Sequence, residues 1–296
     1  MNTSSSSQNQ PSVTILGLGT MGEGMARRLL DQGFPVNVWN RSAGRLEALG
    51  DAGATTHADA GHAVAQADVI ITMLPTADAV TQVMLQGGVI HAFRSGAVWA
   101  QMGTIGVEVT ERLAAAIAEK RPDVTFVDAP VSGSRVPART GQLIILASGP
   151  DSARPILDPV FGALGQRSVW LGPAGRGSRM KLVLNTLLAF EIEAVAEVDA
   201  LAARLGLPYE DLVRTLTGTA LASGVEMNKL AKMESGDDSA DFSLQWALKD
   251  LDLALAASGA QTMPVATAIL ERWRRLVADG HGGLDVSAAR LGLNAA

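Results

Sequence analysis

Cysteine is absent from the chain, which excludes disulfides, thiolate metal sites and a cysteine nucleophile, and accords with a reducing compartment, the cytoplasm. Aromatic residues amount to only 4%, so the core has to be mainly aliphatic. Histidine is scarce too: His57, His62, His91 and His281 form no metal-ligand spacing, and no metal is expected. Positive charge is in deficit, with 24 Lys and Arg against 30 Asp and Glu. Nothing here neutralises a run of phosphates, so no nucleic-acid partner is expected. No run of about 18 apolar residues occurs, so no membrane-spanning helix is expected. What remains is 47% hydrophobic and 18% charged in a chain of 296 residues. That is a globular composition with room for two domains at about 150 residues each.

Residues 1–11, opening MNTSSSSQNQ, read as a disordered polar tail without the basic start and apolar stretch of a signal peptide. From Ser12 onward short apolar segments at 13–16, 36–39, 68–74, 97–101, 125–128, 143–147 and 168–171 are separated for the most part by helical stretches at 22–32, 42–52, 77–85 and 107–120. Such alternation implies a parallel sheet covered on both faces. The pattern changes after Gly172-Pro173-Ala174-Gly175. A helix over 179–205 is apolar almost all round, through Leu184, Leu187, Leu188, Phe190, Ile192 and Val195, and a helix of that kind is normally buried. Further helices follow at 208–217, 224–233, 244–258 and 264–279. The expected architecture is an α/β Rossmann-type doubly wound domain over 12–174, then an all-α domain over 175–296.

Gly17-Leu18-Gly19-Thr20-Met21-Gly22 follows the first strand and opens the first helix. This is the dinucleotide fingerprint in the context it requires: one glycine for the tight turn, one to admit a pyrophosphate, one for close helix–strand packing. At the tip of the second strand stands Asn40-Arg41-Ser42, where an NAD-binding chain would carry a carboxylate. Arg41 can pair with a 2′-phosphate, Ser42 can donate to it and Arg45 lies one turn on, which favours NADPH over NADH. A solvated arginine on an exposed turn is the plainer reading. Met73-Leu74-Pro75 and the loop ending in Thr104 leave two other strands at their carboxyl ends. They line a nicotinamide site or are ordinary loops.

Lys181 and Asn185 are four apart on the long helix and so share a face, among apolar neighbours. Either the lysine is a proton donor tuned by its surroundings or it extends its ammonium to solvent. Phe242, Trp246, Lys249 and Asp250 fall on one stripe of another helix, either the wall of a cleft or an ion pair beside a core edge. Ser132-Gly133-Ser134, after a strand and a proline, offers a hydroxyl and unhindered N–H groups that suit a carboxylate, or is simply a loop.

Taken in order, ILGLGTMGEGMARRLL (15–30), NRS (40–42), MLP (73–75), DAPVSGS (128–134), GRGSRMKLVLN (175–185) and FSLQWALKDLDLA (242–254) resemble the β-hydroxyacid dehydrogenase family, relatives of 6-phosphogluconate and 3-hydroxyisobutyrate dehydrogenases. PVSGSRVPARTGQLIILASG (130–149) and GGLDVSAA (282–289) are most similar to the glyoxylate/succinic semialdehyde reductase branch; Ser134, where many relatives have glycine, departs from the wider family. The resemblance implies that the glycine turn, Asn40, Arg41, Met73, Leu74, Pro75 and Thr104 hold the cofactor and that Ser132 and Gly133 bind the substrate carboxylate. It further implies Lys181 as general acid, Asn185 orienting the substrate, Phe242 shaping the pocket, and Lys249 on cofactor or substrate with Asp250 fixing it. Imine reductases of this architecture usually replace the lysine, so its retention implies a carbonyl substrate. An NADPH-dependent reductase of small carboxylate-bearing carbonyl compounds is expected, as a homodimer or homotetramer; an NAD(P)-dependent 3-hydroxyisobutyrate-type dehydrogenase and an imine reductase are the alternatives.

Overall fold

The computed structural model describes residues 10–259 and 263–293. The tail expected over 1–11 lies outside them apart from Gln10 and Pro11. The chain divides into two compact units, residues 1–181 and 182–296.

The first unit is built on a parallel sheet of β1 (Val13–Leu16), β2 (Val36–Trp39), β3 (Thr55–His57), β4 (Val69–Thr72), β5 (Val98–Gln101) and β6 (Thr125–Asp128), in the order β3-β2-β1-β4-β5-β6. Every residue of β1, β4 and β5 is buried, as strands covered on both faces must be. Val13 lies opposite both Val36 and Val69, and Val69 opposite Val98. The strands β2, β1, β4 and β5 therefore end level, and their outgoing loops leave along one edge. The connecting helices are α1 (Thr20–Asp31), α2 (Leu46–Gly50), α3 (Ala60–Val64), α4 (Ala77–Thr81), α5 (Val107–Lys120), α6 (Arg135–Thr140) and α7 (Arg154–Leu164). Met25, Leu29 and Phe161 pack over one face; Val80, Met84, Leu113 and Ile117 pack with Trp99 and Phe126 over the other.

The apolar segments at 143–147 and 168–171 do not join that sheet. They form β8 (Leu143–Ala147) and β9 (Gly165–Trp170) of a separate three-stranded sheet with β7 (Val131–Ser132), which runs antiparallel to β8. Pro130 explains the break: it stands two residues past the end of β6, has no N–H for a ladder, and lets the chain reverse into a new edge.

The second unit is helical. α8 (Arg176–Arg204) crosses the division, and α9 (Tyr209–Leu216), α10 (Gly224–Ser235), α11 (Leu244–Ser258) and α12 (Pro264–Ala278) follow. Ile192, Val195, Leu251, Leu255, Ile269, Trp273 and Val286 form its core. α8 is not buried all round as its composition suggested. Ala189, Ile192 and Ala196 are buried, whereas Val183, Leu187, Val198 and Leu201 are 45–62% exposed. At about 100° per residue those four fall within about 60° of one another, so one flank of α8 is a continuous apolar stripe that its own chain leaves uncovered. Among the described residues no helix is long and apolar enough to cross a membrane.

Trp99 is the pivot of the first unit's aromatic packing. It is fully buried, makes edge contacts to Phe126 at 5.0 Å and Phe93 at 6.2 Å, and donates its indole N–H to Thr72 Oγ1 at 2.9 Å. Trp99→Ala is expected to cost the first unit about 3–5 kcal/mol, read from denaturant unfolding; a loss under about 1 kcal/mol would contradict this packing.

Candidate active site

The glycine-rich turn is shaped by contacts that leave no room for side chains. Gly17 has φ +101°, and a Cβ on it would lie 2.6 Å from Met73 O. A Cβ on Gly22 would lie 2.0 Å from Gly17 O. Gly19 is the opposite case: it is exposed and a Cβ there would meet nothing within 4 Å. The space over Gly19 opens at the N-terminus of α1, whose first N–H groups cannot be satisfied within the helix. A pyrophosphate fits such a cradle, since the helix end favours an anion.

The turn is also held from the side. Asn40 Oδ1 accepts from Leu18 N at 3.0 Å, and Asn40 Nδ2 donates to Ser42 O and Oγ at 2.9 and 3.0 Å. Arg45 donates to Leu18 O at 2.9 Å and pairs with Glu23 at 3.5 Å. Part of its guanidinium thus braces the turn, and the side chain stays half exposed. Arg41 and Ser42 are exposed at the tip of β2, and Ser42, accepting through its oxygen, keeps its O–H to donate.

Two more loops meet this turn. Gly17 packs on Met73, and a Cβ on Gly103 would lie 2.6 Å from Leu74 O. Gln101 ties the second loop down, donating to Gly103 O at 2.6 Å and accepting from Thr72 Oγ1 at 2.9 Å. The turn with Thr20 and Met21, Met73-Leu74-Pro75 and the segment to Thr104 thus gather at the ends of β1, β4 and β5. That edge includes the switch point between β1 and β4, where doubly wound sheets bind ligands. Leu18 and Leu74 bury their side chains, so only their backbones face that edge.

Asp128, at the carboxyl end of β6 opposite Gln101, anchors the start of α8. It is fully buried and accepts from Ser178 N at 2.8 Å, Ser178 Oγ at 2.7 Å and Ser148 Oγ at 3.0 Å. Burial pushes its carboxyl above the usual range, against the pull of those hydrogen bonds. The first turn of α8 is clamped to the strands at this point: a Cβ on Gly177 would lie 2.2 Å from Leu146 O. Lys181, half-buried, stands three residues beyond Ser178. Ser132 is half-buried at the end of β7, and Gly133 is exposed with φ +125°, a conformation that turns its backbone sharply out of the strand.

In the second unit the structure brings together three of the residues singled out from sequence. Asn185 Nδ2 donates to Asp250 Oδ2 at 2.5 Å, and Lys249 Nζ lies 2.7 Å from Asp250 Oδ1. Asn185 and Asp250 are 8% and 3% exposed. One buried carboxylate therefore fixes both the amide of Asn185 and the ammonium of Lys249, leaving the amide oxygen of Asn185 oriented away from Asp250. Phe242 is half-buried just before α11.

Residues 12–172 match the family described as the NAD binding domain of 6-phosphogluconate dehydrogenase, and residues 175–291 the one described as NAD-binding of NADP-dependent 3-hydroxyisobutyrate dehydrogenase. Glyoxylate/succinic semialdehyde reductase 1 of Arabidopsis thaliana is 35% identical over 279 residues, which cover 93% of this chain and 96% of that one. A solved structure of 3-hydroxyisobutyrate dehydrogenase from Salmonella typhimurium is similar with a TM-score of 0.86 at 29% identity, over 95% of this chain and 99% of that one. Psf3 in complex with NADP+ and 2-OPP is similar with a TM-score of 0.87 at 25% identity, over 94% and 98%.

Gly22→Ala forces the turn apart. It is expected to weaken binding of the nicotinamide dinucleotide by roughly tenfold or more while far-UV circular dichroism stays native; unchanged affinity in a fluorescence titration would refute this placement of the cofactor.

Proposed function

Because the chain belongs to the β-hydroxyacid dehydrogenase family of NAD(P)-dependent oxidoreductases acting on CH–OH and C=O groups, we propose that it is an NADPH-dependent reductase of small aldehyde acids, glyoxylate or succinic semialdehyde, with Lys181 as general acid. The observation that carries this reading is the Asn185 amide locked by Asp250 one helical turn from Lys181. The identity to a relative named for those two substrates supports the choice among carbonyl compounds.

In this reading residues 12–174 bind the cofactor and 175–296 form the substrate and dimerisation domain. Gly17 to Gly22, Asn40, Met73 to Pro75, Thr104 and Lys249 hold the dinucleotide, and Arg41 with Ser42 takes the 2′-phosphate, in the place where NAD-specific chains carry an acid. When bound, the nicotinamide supplies the hydride. Ser132 and the Gly133 N–H hold the substrate carboxylate, which fixes the position of the carbonyl; positioning of this kind removes several kcal/mol of barrier. Asn185 orients the carbonyl, and Phe242 limits the space beside it. Lys181 stabilises the negative charge that grows on the carbonyl oxygen and gives it a proton.

The exposed stripe of Val183, Leu187, Val198 and Leu201 supports a homodimer or homotetramer that covers it, since a contiguous apolar surface of this kind marks an interface. A monomer in sedimentation at working concentration would refute that assembly. The lack of cysteine is consistent with a cytoplasmic setting.

The test is NADPH oxidation with glyoxylate and with succinic semialdehyde, NADH serving as control. Turnover with NADPH supports the class, and the ratio of the two kcat/KM values selects the substrate. NADPH binding without turnover of either aldehyde acid overturns the proposal. Lys181→Ala is expected to lower kcat by about 10²–10⁴-fold with NADPH affinity retained. Arg41→Ala is expected to weaken NADPH by about tenfold and to leave NADH unaffected; equal losses for both cofactors would remove the 2′-phosphate role.

A further inference from the structure

One carboxylate in the helical unit does far more bonding than its neighbourhood needs for packing. Asp285 is fully buried and accepts five hydrogen bonds: from Lys229 Nζ at 2.8 and 3.0 Å, Asp241 N at 3.0 Å, Phe242 N at 3.3 Å and Ser287 N at 3.1 Å. Lys229, on α10, is itself only 7% exposed. The segment that follows Asp285 completes the hold: Val286 N donates to Phe242 O at 2.8 Å, and Leu244 N donates to Leu284 O at 2.9 Å. Both backbone polar groups of Phe242 are thus occupied by residues 285 and 286, and the stretch 241–244 leads straight into the first turn of α11.

We propose that the Lys229–Asp285 pair is a positioning device for the reaction: it fixes the backbone of residues 241–244, and through it the wall set by Phe242 and the start of the helix that carries Lys249 and Asp250. This rests on the reductase reading for its link to catalysis, though the clamp itself does not. The charge is specific to the task. An asparagine has one acceptor oxygen and would turn an NH₂ group toward N–H donors, so it cannot satisfy five of them. Removing either charge also leaves the other buried and unpaired, which is costly.

The test uses the full chain with NADPH present and compares Asp285→Asn, Lys229→Gln and Lys229→Arg with Glu193→Gln. Glu193 belongs to a second buried ion pair of the same unit, with Arg272 at 2.9 Å, and its hydrogen bonds run to Arg272 and Trp273 on α12. Asp285→Asn and Lys229→Gln are expected to speed amide hydrogen exchange in the peptide 240–248 and to raise KM for the aldehyde acid by about tenfold, with a smaller loss of NADPH affinity through Lys249. Lys229→Arg, which keeps the charge, is expected to restore both. Glu193→Gln is expected to lower Tm without either effect. Unchanged exchange in 240–248 overturns the clamp; faster exchange with unchanged KM, or an equal KM rise in Glu193→Gln, overturns its part in the reaction. A wild-type chain that turns over no aldehyde acid sinks the reductase reading instead, and the exchange comparison still decides the clamp. Should Asp285→Asn fail to fold, Lys229→Gln leaves the carboxylate and its backbone partners in place and carries the same comparison.

Discussion

Asp128 accepts hydrogen bonds from the first turn of α8 and from Ser148 at once, and the placement of Lys181 follows from it. A helix start has N–H groups without intrahelical partners, and burying them needs acceptors. Ser178 N finds Asp128, and Gly177 N finds Ser148 Oγ at 2.9 Å. With both satisfied, α8 begins flush against the strands, so close that only glycine fits at 177. The rise and rotation of a helix then fix where the sixth residue of α8, Lys181, emerges. A side chain on a helix is as well placed as that helix's first turn.

The cofactor end obeys the same logic with the roles of backbone and side chain exchanged. There the glycines remove side chains so that backbone meets backbone, Gly22 on Gly17 and Gly103 on Leu74. The polar side chains Asn40, Arg45 and Gln101 stand outside and tie the loops. The rigidity of the edge comes from those ties, which need no ligand to form. A preorganised anion cradle is the consequence, and its opening sits over Gly19, where the contacts stop.

The parts legible in sequence were those with a periodic or glycine signature. The strands at 13–16, 36–39, 69–72 and 98–101 and the turn at 17–22 carry apolar runs and glycines whose spacing has one physical explanation. β3 escaped because Thr55, Thr56 and His57 lie at an exposed sheet edge and carry no apolar signal. β7 is two residues long, and nothing in Val131-Ser132 announces a reversal except the proline before it. α7 escaped because Pro155 and Pro159 interrupt its pattern, although Leu157, Val160 and Phe161 are all buried. At the site, Lys181, Asn185, Lys249 and Asp250 could be named from one-turn spacings. The residues that anchor their helices could not. Asp128 and Ser178 are 50 residues apart in the chain, and Lys229 and Asp285 are 56; pairing at that range is a product of the tertiary fold. The outward face of α8 misled for a related reason, because composition records that a surface is apolar and not which chain covers it.

Two of the buried carboxylates show how partner chemistry can reverse the direction that burial sets. Asp128 and Asp285 are both inaccessible, and burial pushes both carboxyls upward. Asp128 is met only by hydroxyl and backbone donors, which are neutral, and its carboxyl stays above the usual range. Asp285 meets the Lys229 ammonium as well as the backbone N–H groups of Ser287 and Phe242, and together these outweigh burial and hold it below that range. A full opposite charge at hydrogen-bond distance is the added ingredient. Glu193 lies between: Arg272 and Trp273 both bond it, yet burial still leaves its carboxyl raised. Of these three, Asp285 alone has its carboxyl held below the usual range. It is also the one whose bonds run to Asp241 and Phe242, so the ion pair with Lys229 and the backbone that leads into α11 are held by the same carboxylate.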